Sequence, residues 1–313
     1  MRYIFFGSSE FAQIVLQKLL QSKMGPLLVV TQPPKPKGRK QLLSPTPVQN
    51  IAEQFNIPFL TPSNLNDENF LQTIQNLKPD FILLTAYGKI IPQTLLKLPP
   101  KGFINLHPSL LPRWRGATPI QSTILNGDEE TGVTLFLMDE QIDHGPIISN
   151  SKLKIQNSKL TYEELSKELA LLGAKLIIET LPQWLDNKIK PTPQNENLAT
   201  YCHKITKEDE KINWHDDALN IDRKVRALNP NPGTYTIIKN KIIKIISGEP
   251  LLNENNNNYQ IGEIFQTPNK KIAIKCLKNS YQINILKPEG KKEMSSTDFL
   301  RGNQWILGQI IQS

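Results

Sequence analysis

Asn105 and His107 stand two positions apart at the end of an apolar run, Phe103-Ile104-Asn105-Leu106-His107. In an extended strand alternate side chains share a face, so the amide and the imidazole point the same way. An amide N–H can hold an oxygen that gains negative charge, and an imidazolium can do so more strongly. Imidazole also carries protons near neutral pH. The two side chains can therefore address one substrate atom together, although an Asn-x-His pair at a strand end also has a plain structural reading. Leu110-Leu111-Pro112 lies just beyond, and an apolar loop beside a polar pair makes a pocket wall. A second polar segment, Met138-Asp139-Glu140-Gln141-Ile142-Asp143-His144-Gly145-Pro146, leaves a strand and turns at Gly145. On its own it admits a solvated loop. It also admits a metal site built from Asp139, Asp143 and His144, but the scattered spacing argues against ligation and no metal is expected.

Such residues need a frame, and the first half of the chain alternates strand and helix. Tyr3–Phe6, Leu27–Val30, Phe81–Leu84, Phe103–His107 and Val133–Met138 are expected as strands, several of them continuous apolar runs typical of strands covered on both faces. Between them, Phe11, Val15, Leu16, Leu19 and Leu20 mark a helical face that Ser8 or Ser9 can cap, and helices are expected near 47–55 and 67–77. Thr46-Pro47 and Thr118-Pro119 read as N-cap and first helical residue. A long helix begins at a capping box, Thr161 with Glu164. The pattern gives an α/β, Rossmann-like, mostly parallel sheet with helices on both faces, whose ligands sit beyond the carboxyl ends of the strands. Gly7-Ser8-Ser9 is no G-x-G-x-x-G fingerprint, so no dinucleotide is indicated.

The chain has 313 residues, room for two domains. The expected division is 1–188 for the α/β part, a polar, proline-bearing linker over 189–206, and 207–313 for a second domain. That domain carries one helix near 217–228 and short strands near 234–238, 241–247, 271–275 and 281–286. The spacing suggests a small β-barrel of the OB type, a fold that often carries nucleic acid on one face. The formal net charge is +8, and residues 31–48 hold Lys35, Lys37, Arg39 and Lys40 without an acidic residue. That basic stretch is either a solvated loop or a contact for phosphates. No segment resembles a secretory signal core or a membrane span, so a cytoplasmic protein without membrane contact is expected. Cys202 and Cys276 lie far apart and are expected as reduced thiols.

Asn105 to Pro112, followed by Asp139-x-x-x-Asp143-x-Gly145, resembles the paired motifs of the folate-dependent formyltransferases. The likeness extends to Leu110–Gln121, Phe6-Gly7 with Glu10-Phe11-Ala12, Ala86-Tyr87-Gly88, Thr31-Gln32-Pro33, Gly38-Arg39, and Arg226-Ala227-Leu228-Asn229-Pro230 with Pro232-Gly233. It therefore covers nearly the whole chain and is strongest toward the branch that acts on methionyl-tRNA. Ser8-Ser9 stands where Thr-Pro is usual in that family, and Pro34 where Asp is usual. The resemblance implies 10-formyltetrahydrofolate as donor and initiator methionyl-tRNA as acceptor. It implies that Asn105, His107 and Asp143 are catalytic and that Ser109, Leu110, Leu111 and Pro112 line the folate pocket. It further implies that Lys35, Lys37, Arg39 and Lys40 approach the tRNA, with the second domain as another RNA contact. A monomer is expected.

Overall fold

The computed structural model describes residues 1–37, 42–157, 159–252 and 258–311. Two compact units emerge, the first made of Met1–Pro119, Glu129–Gln156 and Glu163–Cys202. It opens with β1 (Tyr3–Gly7), α1 (Glu10–Gln21) and β2 (Leu28–Val30). Next come β3 (Lys35–Lys37), β4 (Leu42–Ser44), α2 (Pro47–Gln54), β5 (Phe59–Leu60) and α3 (Glu68–Asn76). Then follow β6 (Phe81–Thr85), α4 (Gln93–Leu96), β7 (Phe103–His107) and β8 (Arg115–Gly116). Helix α5 (Pro119–Asn126) falls almost wholly in the second unit. Strands β9 (Glu130–Leu137) and β10 (Ile147–Lys154), helix α6 (Tyr162–Leu185) and β11 (Tyr201–Cys202) complete the first.

Seven strands form one sheet in the order β10-β9-β7-β6-β1-β2-β5. The joins from β7 through β5 are parallel, whereas β9 runs against both β7 and β10. Every residue of β1, β6 and β7 is buried, which is why these strands read as unbroken apolar runs. Register explains which way each side chain goes. Phe6 pairs with Leu84 and Leu84 with Asn105, so these three side chains share a face. On that face Ile4, Phe6, Ile82, Leu84 and Phe103 pack with Phe70 and Ile74 of α3 and Leu95 of α4. Leu106 turns to the other face, where a Cβ added to Gly173 of α6 would stand 2.6 Å from its Cδ2. Helices thus cover both faces, and the alternation along β7 sets Asn105 and His107 opposite the α6 side.

Local chemistry starts the helices where the sequence indicated. Ser9 Oγ accepts the Ala12 N–H at 3.3 Å, and Ser8 Oγ instead receives the Gln32 N–H at 3.1 Å. Thr46 Oγ1 accepts the Gln49 N–H at 3.0 Å and meets Thr31 Oγ1 at 2.6 Å, tying the start of α2 to the end of β2. Strands β3 and β4 pair antiparallel, so the basic segment is partly strand rather than the loop expected. Strand β10, absent from the sequence reading, is an edge strand whose residues alternate between half-buried and exposed from Ser149 to Lys154.

Of the segment read as a linker from its composition, 189–202 is bound into the first unit and 203–206 falls in the second. Thr192 bridges to Ile147, and Tyr201 and Cys202 pair with Arg115 and Gly116. Its polar side chains are used: Gln194 bonds to backbone carbonyls of the first unit, and Gln194 and Glu196 bond to the Arg115 side chain.

The second unit holds Ile120–Asp128, Asn157–Tyr162 and His203–Ser313. It adds α7 (Lys207–Glu210), α8 (Ala218–Leu228), β12 (Thr234–Ile238), β13 (Lys241–Leu251), β14 (Ile264–Gln266), β15 (Ile272–Lys275), β16 (Ser280–Pro288), β17 (Met294–Ser295) and α9 (Ser296–Arg301). The strands make one antiparallel sheet ordered β12-β13-β16-β15-β14, with β17 on β16. The core joins Ile221 and Val225 of α8 and Phe299 of α9 to Ile243, Ile245, Ile274 and Ile283. Trp214 lies fully buried among them, its Nε1–H donating to Thr236 Oγ1 at 3.0 Å. Among the described residues neither Cys202 nor Cys276 forms a disulfide, and Cys276 is buried and Cys202 partly so. Among the described residues no helix is long and apolar enough to cross a membrane.

Thr46→Ala should lower the urea midpoint of unfolding by an amount equivalent to about 1 kcal/mol, the usual worth of an N-cap hydroxyl. Thr46→Ser should restore most of it. Equal midpoints for all three proteins would show that the cap carries no stability.

Candidate active site

Asn105 and His107 end β7 on one face, 8% and 4% exposed. His107 Nε2 lies 2.9 Å from the carbonyl oxygen of Trp114. A carbonyl only accepts, so this bond assigns the proton to Nε2 and leaves Nδ1 as the working nitrogen. Nδ1 stands 3.7 Å from Asp143 Oδ2, beyond hydrogen-bond length but close enough for the charges to interact. The Asn105 amide has no side-chain partner among the described residues. Both strand residues therefore keep polar atoms uncommitted.

Asp143 comes from the loop between β9 and β10, at φ 49°, a left-handed conformation that costs a non-glycine residue about 1 kcal/mol. Its carboxylate is aimed by one bond: Gly116 N–H donates to Oδ2 at 2.8 Å. Gly116 sits at φ 118°, and a Cβ there would meet the Cys202 carbonyl oxygen at 2.3 Å. Only glycine fits this position without moving β11. The Asp143 backbone is held as well. Gln194 Nε2 donates to the carbonyls of Asp143 and Gly145, both at 2.8 Å.

Behind Gln194 lies Arg115, 1% exposed. Its Nε and Nη2 donate to Gln194 Oε1 at 3.0 and 2.8 Å. Its Nη1 and Nη2 donate to the two oxygens of Glu196 at 2.9 and 2.6 Å, and Nη1 reaches Tyr201 Oη at 3.3 Å. The Glu196 bond raises the Arg115 pKa against the opposing effect of burial, and the same bond from Arg115 lowers that of Glu196. Sequence reasoning missed Gln194, Glu196 and Gly116 as parts of this site. The only signal for Gly116 was its place in the Trp-Arg-Gly run, and Gln194 carried none.

Ser109 and Leu111 are buried, while Leu110 and Pro112 are half-exposed. Ser109 Oγ donates to the Arg113 carbonyl at 2.5 Å, and Thr134 Oγ1 donates to the Ser109 carbonyl at 2.7 Å, so the loop is rigidly shaped. His144 and Asp139 are committed to each other, Nδ1 to Oδ2 at 2.6 Å, and no group of potential metal ligands occurs among the described residues. Lys35 Nζ donates to Gln32 Oε1 at 2.6 Å. Lys37 belongs to β3. Arg39 and Lys40 lie outside the described residues.

Residues 1–181 match the family model described as Formyl transferase, and residues 204–304 match Formyl transferase, C-terminal domain. The chain belongs to the formyl transferase family. Its relatives include a methionyl-tRNA formyltransferase of Desulforamulus reducens, 41% identical over 311 residues, covering 99% of this chain and 98% of that protein. A methionyl-tRNA formyltransferase of Rickettsia bellii is 40% identical over 302 residues, covering 96% and 97%. Among solved structures, HypX from Aquifex aeolicus in complex with tetrahydrofolic acid superposes with a TM-score of 0.67 at 18% identity. That match covers 96% of this chain, which spans about half of HypX, 47%. An N-formyltransferase from Helicobacter canadensis, in complex with folinic acid and dTDP-3-aminofucose, gives a TM-score of 0.65 at 20% identity over 93% of this chain and 99% of its own. These two structures share the formyl transferase fold.

Gly116→Ala should cut formyl transfer by at least about tenfold, because the Cβ forces the bond donor for Asp143 off the carboxylate. The check is the initial rate of the variant against wild type, with circular dichroism to confirm that the variant is folded. Unchanged turnover would show that Asp143 needs no such anchor.

Proposed function

We propose that Asn105, His107 and Asp143 carry out transfer of the formyl group of 10-formyltetrahydrofolate to the α-amino group of methionine on initiator tRNA. The observation that carries this reading is His107 Nδ1 facing Asp143 Oδ2 at 3.7 Å, with Asn105 on the same face of the strand, in a chain 41% identical to a methionyl-tRNA formyltransferase over nearly its whole length. We take the enzyme to work as a monomer in the cytoplasm. Residues 1–188 carry the catalytic side chains and 207–313 the second tRNA contact, joined through 189–206, of which the part up to Cys202 packs into the first unit.

The acceptor amine adds to the formyl carbon, and negative charge grows on the formyl oxygen. Asn105 donates its amide N–H to that oxygen. Once protonated at Nδ1, His107 offers a second donor and then gives its proton toward the departing folate nitrogen. Asp143 faces that same edge of the ring. It holds the imidazole in place and takes the proton of the attacking amine directly or through one water. The half-exposed Leu110 and Pro112 present the apolar wall for the folate, and Ser109 and Leu111 fix the shape of the loop behind it. Lys35, Lys37, Arg39 and Lys40 neutralise phosphates of the tRNA.

His107→Ala should lower transfer to methionyl-tRNA by about a hundredfold or more, the loss of one donor to the developing charge being worth about 3 kcal/mol, and Asp143→Asn should lower it by a similar order, general base catalysis being worth about a hundredfold or more. Labelled formyl transfer measures it, with small amines and amino sugars as competing acceptors. Near-normal turnover in both variants would overturn the site. A preference for a small amine would overturn the acceptor, and formate release at full rate without tRNA would replace transfer by hydrolysis. Separately, Arg39→Ala should raise the KM for methionyl-tRNA and flatten its dependence on salt, without changing the KM for the folate. An unchanged tRNA KM would remove Arg39 from the interface.

A further inference from the structure

We propose that Gln194 is a positioning residue for Asp143, acting on the backbone of the catalytic loop through both hydrogens of its amide; this rests on Asp143 being catalytic. The carbonyls of Asp143 and Gly145 both receive a hydrogen from Gln194 Nε2 at 2.8 Å. One amide NH2 therefore spans the turn that contains the left-handed Asp143. Two carbonyls held by a single nitrogen cannot swing apart, and a backbone rotation at the left-handed Asp143 that carried its carbonyl away would break one of the two bonds.

The orientation of the Gln194 amide is itself fixed. Oε1 takes two N–H bonds from Arg115, at 3.0 and 2.8 Å. Turning the amide over would press Oε1 against two carbonyl oxygens and the NH2 against a guanidinium, repulsive at both ends. Arg115 in turn is fastened by the Glu196 carboxylate and by the pairing of β8 with β11. The next residue, Gly116, donates to the Asp143 carboxylate. Both ends of Asp143 thus refer to one dipeptide. Gly116 reaches the side chain directly, and Arg115 reaches the backbone through Gln194. The consequence is that the 3.7 Å separation of Asp143 from His107 is set by Gln194 as well as by Gly116.

The test uses the full-length enzyme with methionyl-tRNA and 10-formyltetrahydrofolate, resolving kcat from each KM. Gln194→Met keeps the length and volume of the side chain and removes both donors. Gln194→Glu keeps the outline and sets carboxylate oxygen against the two loop carbonyls. Both are expected to lower kcat by on the order of ten- to a hundredfold, as a displacement near 1 Å does, with both KM values within about twofold of wild type. Asp143→Asn and the double variant Asp143→Asn/Gln194→Met are measured by single turnover, and the double variant is expected to be no slower than Asp143→Asn. Melting curves establish that each variant is folded. Wild-type kcat in Gln194→Met, or a Gln194 effect that adds in full on the Asp143→Asn background, would overturn the inference while leaving the site intact. Near-normal activity of Asp143→Asn would overturn the site assignment, and the inference with it.

Discussion

Arg115 carries a full positive charge at 1% exposure, and the neighbourhood of the reaction centre is arranged to satisfy it. Removing a guanidinium from water costs several kcal/mol unless its donors are met by well-placed acceptors. All three of its nitrogens are so met: two by Gln194 Oε1, two by the Glu196 carboxylate, and Nη1 also by Tyr201. Each acceptor comes from residues 194–201, so the stretch that follows α6 has to lie where Arg115 needs it. That requirement turns a polar, proline-bearing segment into part of the first unit.

The consequence reaches the proposed site because each sequence neighbour of Arg115 bonds to one of its residues. The Trp114 carbonyl accepts from His107 Nε2, and the Gly116 N–H donates to Asp143 Oδ2. A displacement of Arg115 would move an anchor of each. Asn105 alone is independent of it, held by β7 between β6 and β9. The centre thus divides into a strand-borne part, whose position follows from sheet register, and a loop-borne part, whose position follows from one buried charge.

This division also explains what could be read in the sequence. Register and alternation are local properties, so the common face of Asn105 and His107 was visible from their spacing, and β7 was bounded correctly. Thr46-Pro47 and Ser9 reveal their helices because capping involves residues three apart. Gln194 lies 51 residues from Asp143 and 79 from Arg115. No periodicity connects them, and the composition around it suggests a tether. Strand β10 escaped for a related reason: as a sheet edge it alternates between half-buried and exposed positions, without the apolar run that marks the central strands. The pairing of β3 with β4 is hidden by a stretch whose lysines and prolines argue against strand.

What separates the proposed catalytic atoms from the polar groups around them is commitment. Ser109 is bound to Arg113, Thr134 to Ser109, Asp139 to His144, and the Thr118 N–H to the Cys202 thiol. Each of these groups is polar, and each has its bonding used within the protein. The Asn105 amide and His107 Nδ1 do not, although both residues are less than a tenth exposed. Neither belongs to the fully buried polar atoms that lack a partner, such as Thr85 Oγ1 and Tyr87 Oη, so both stay open to another molecule. With Nε2 held by Trp114, the His107 ring cannot turn to satisfy Nδ1 elsewhere without losing that bond. The unsatisfied edge therefore stays directed at the space it shares with Asp143, which is the condition for a group that must accept and release a proton in a single orientation.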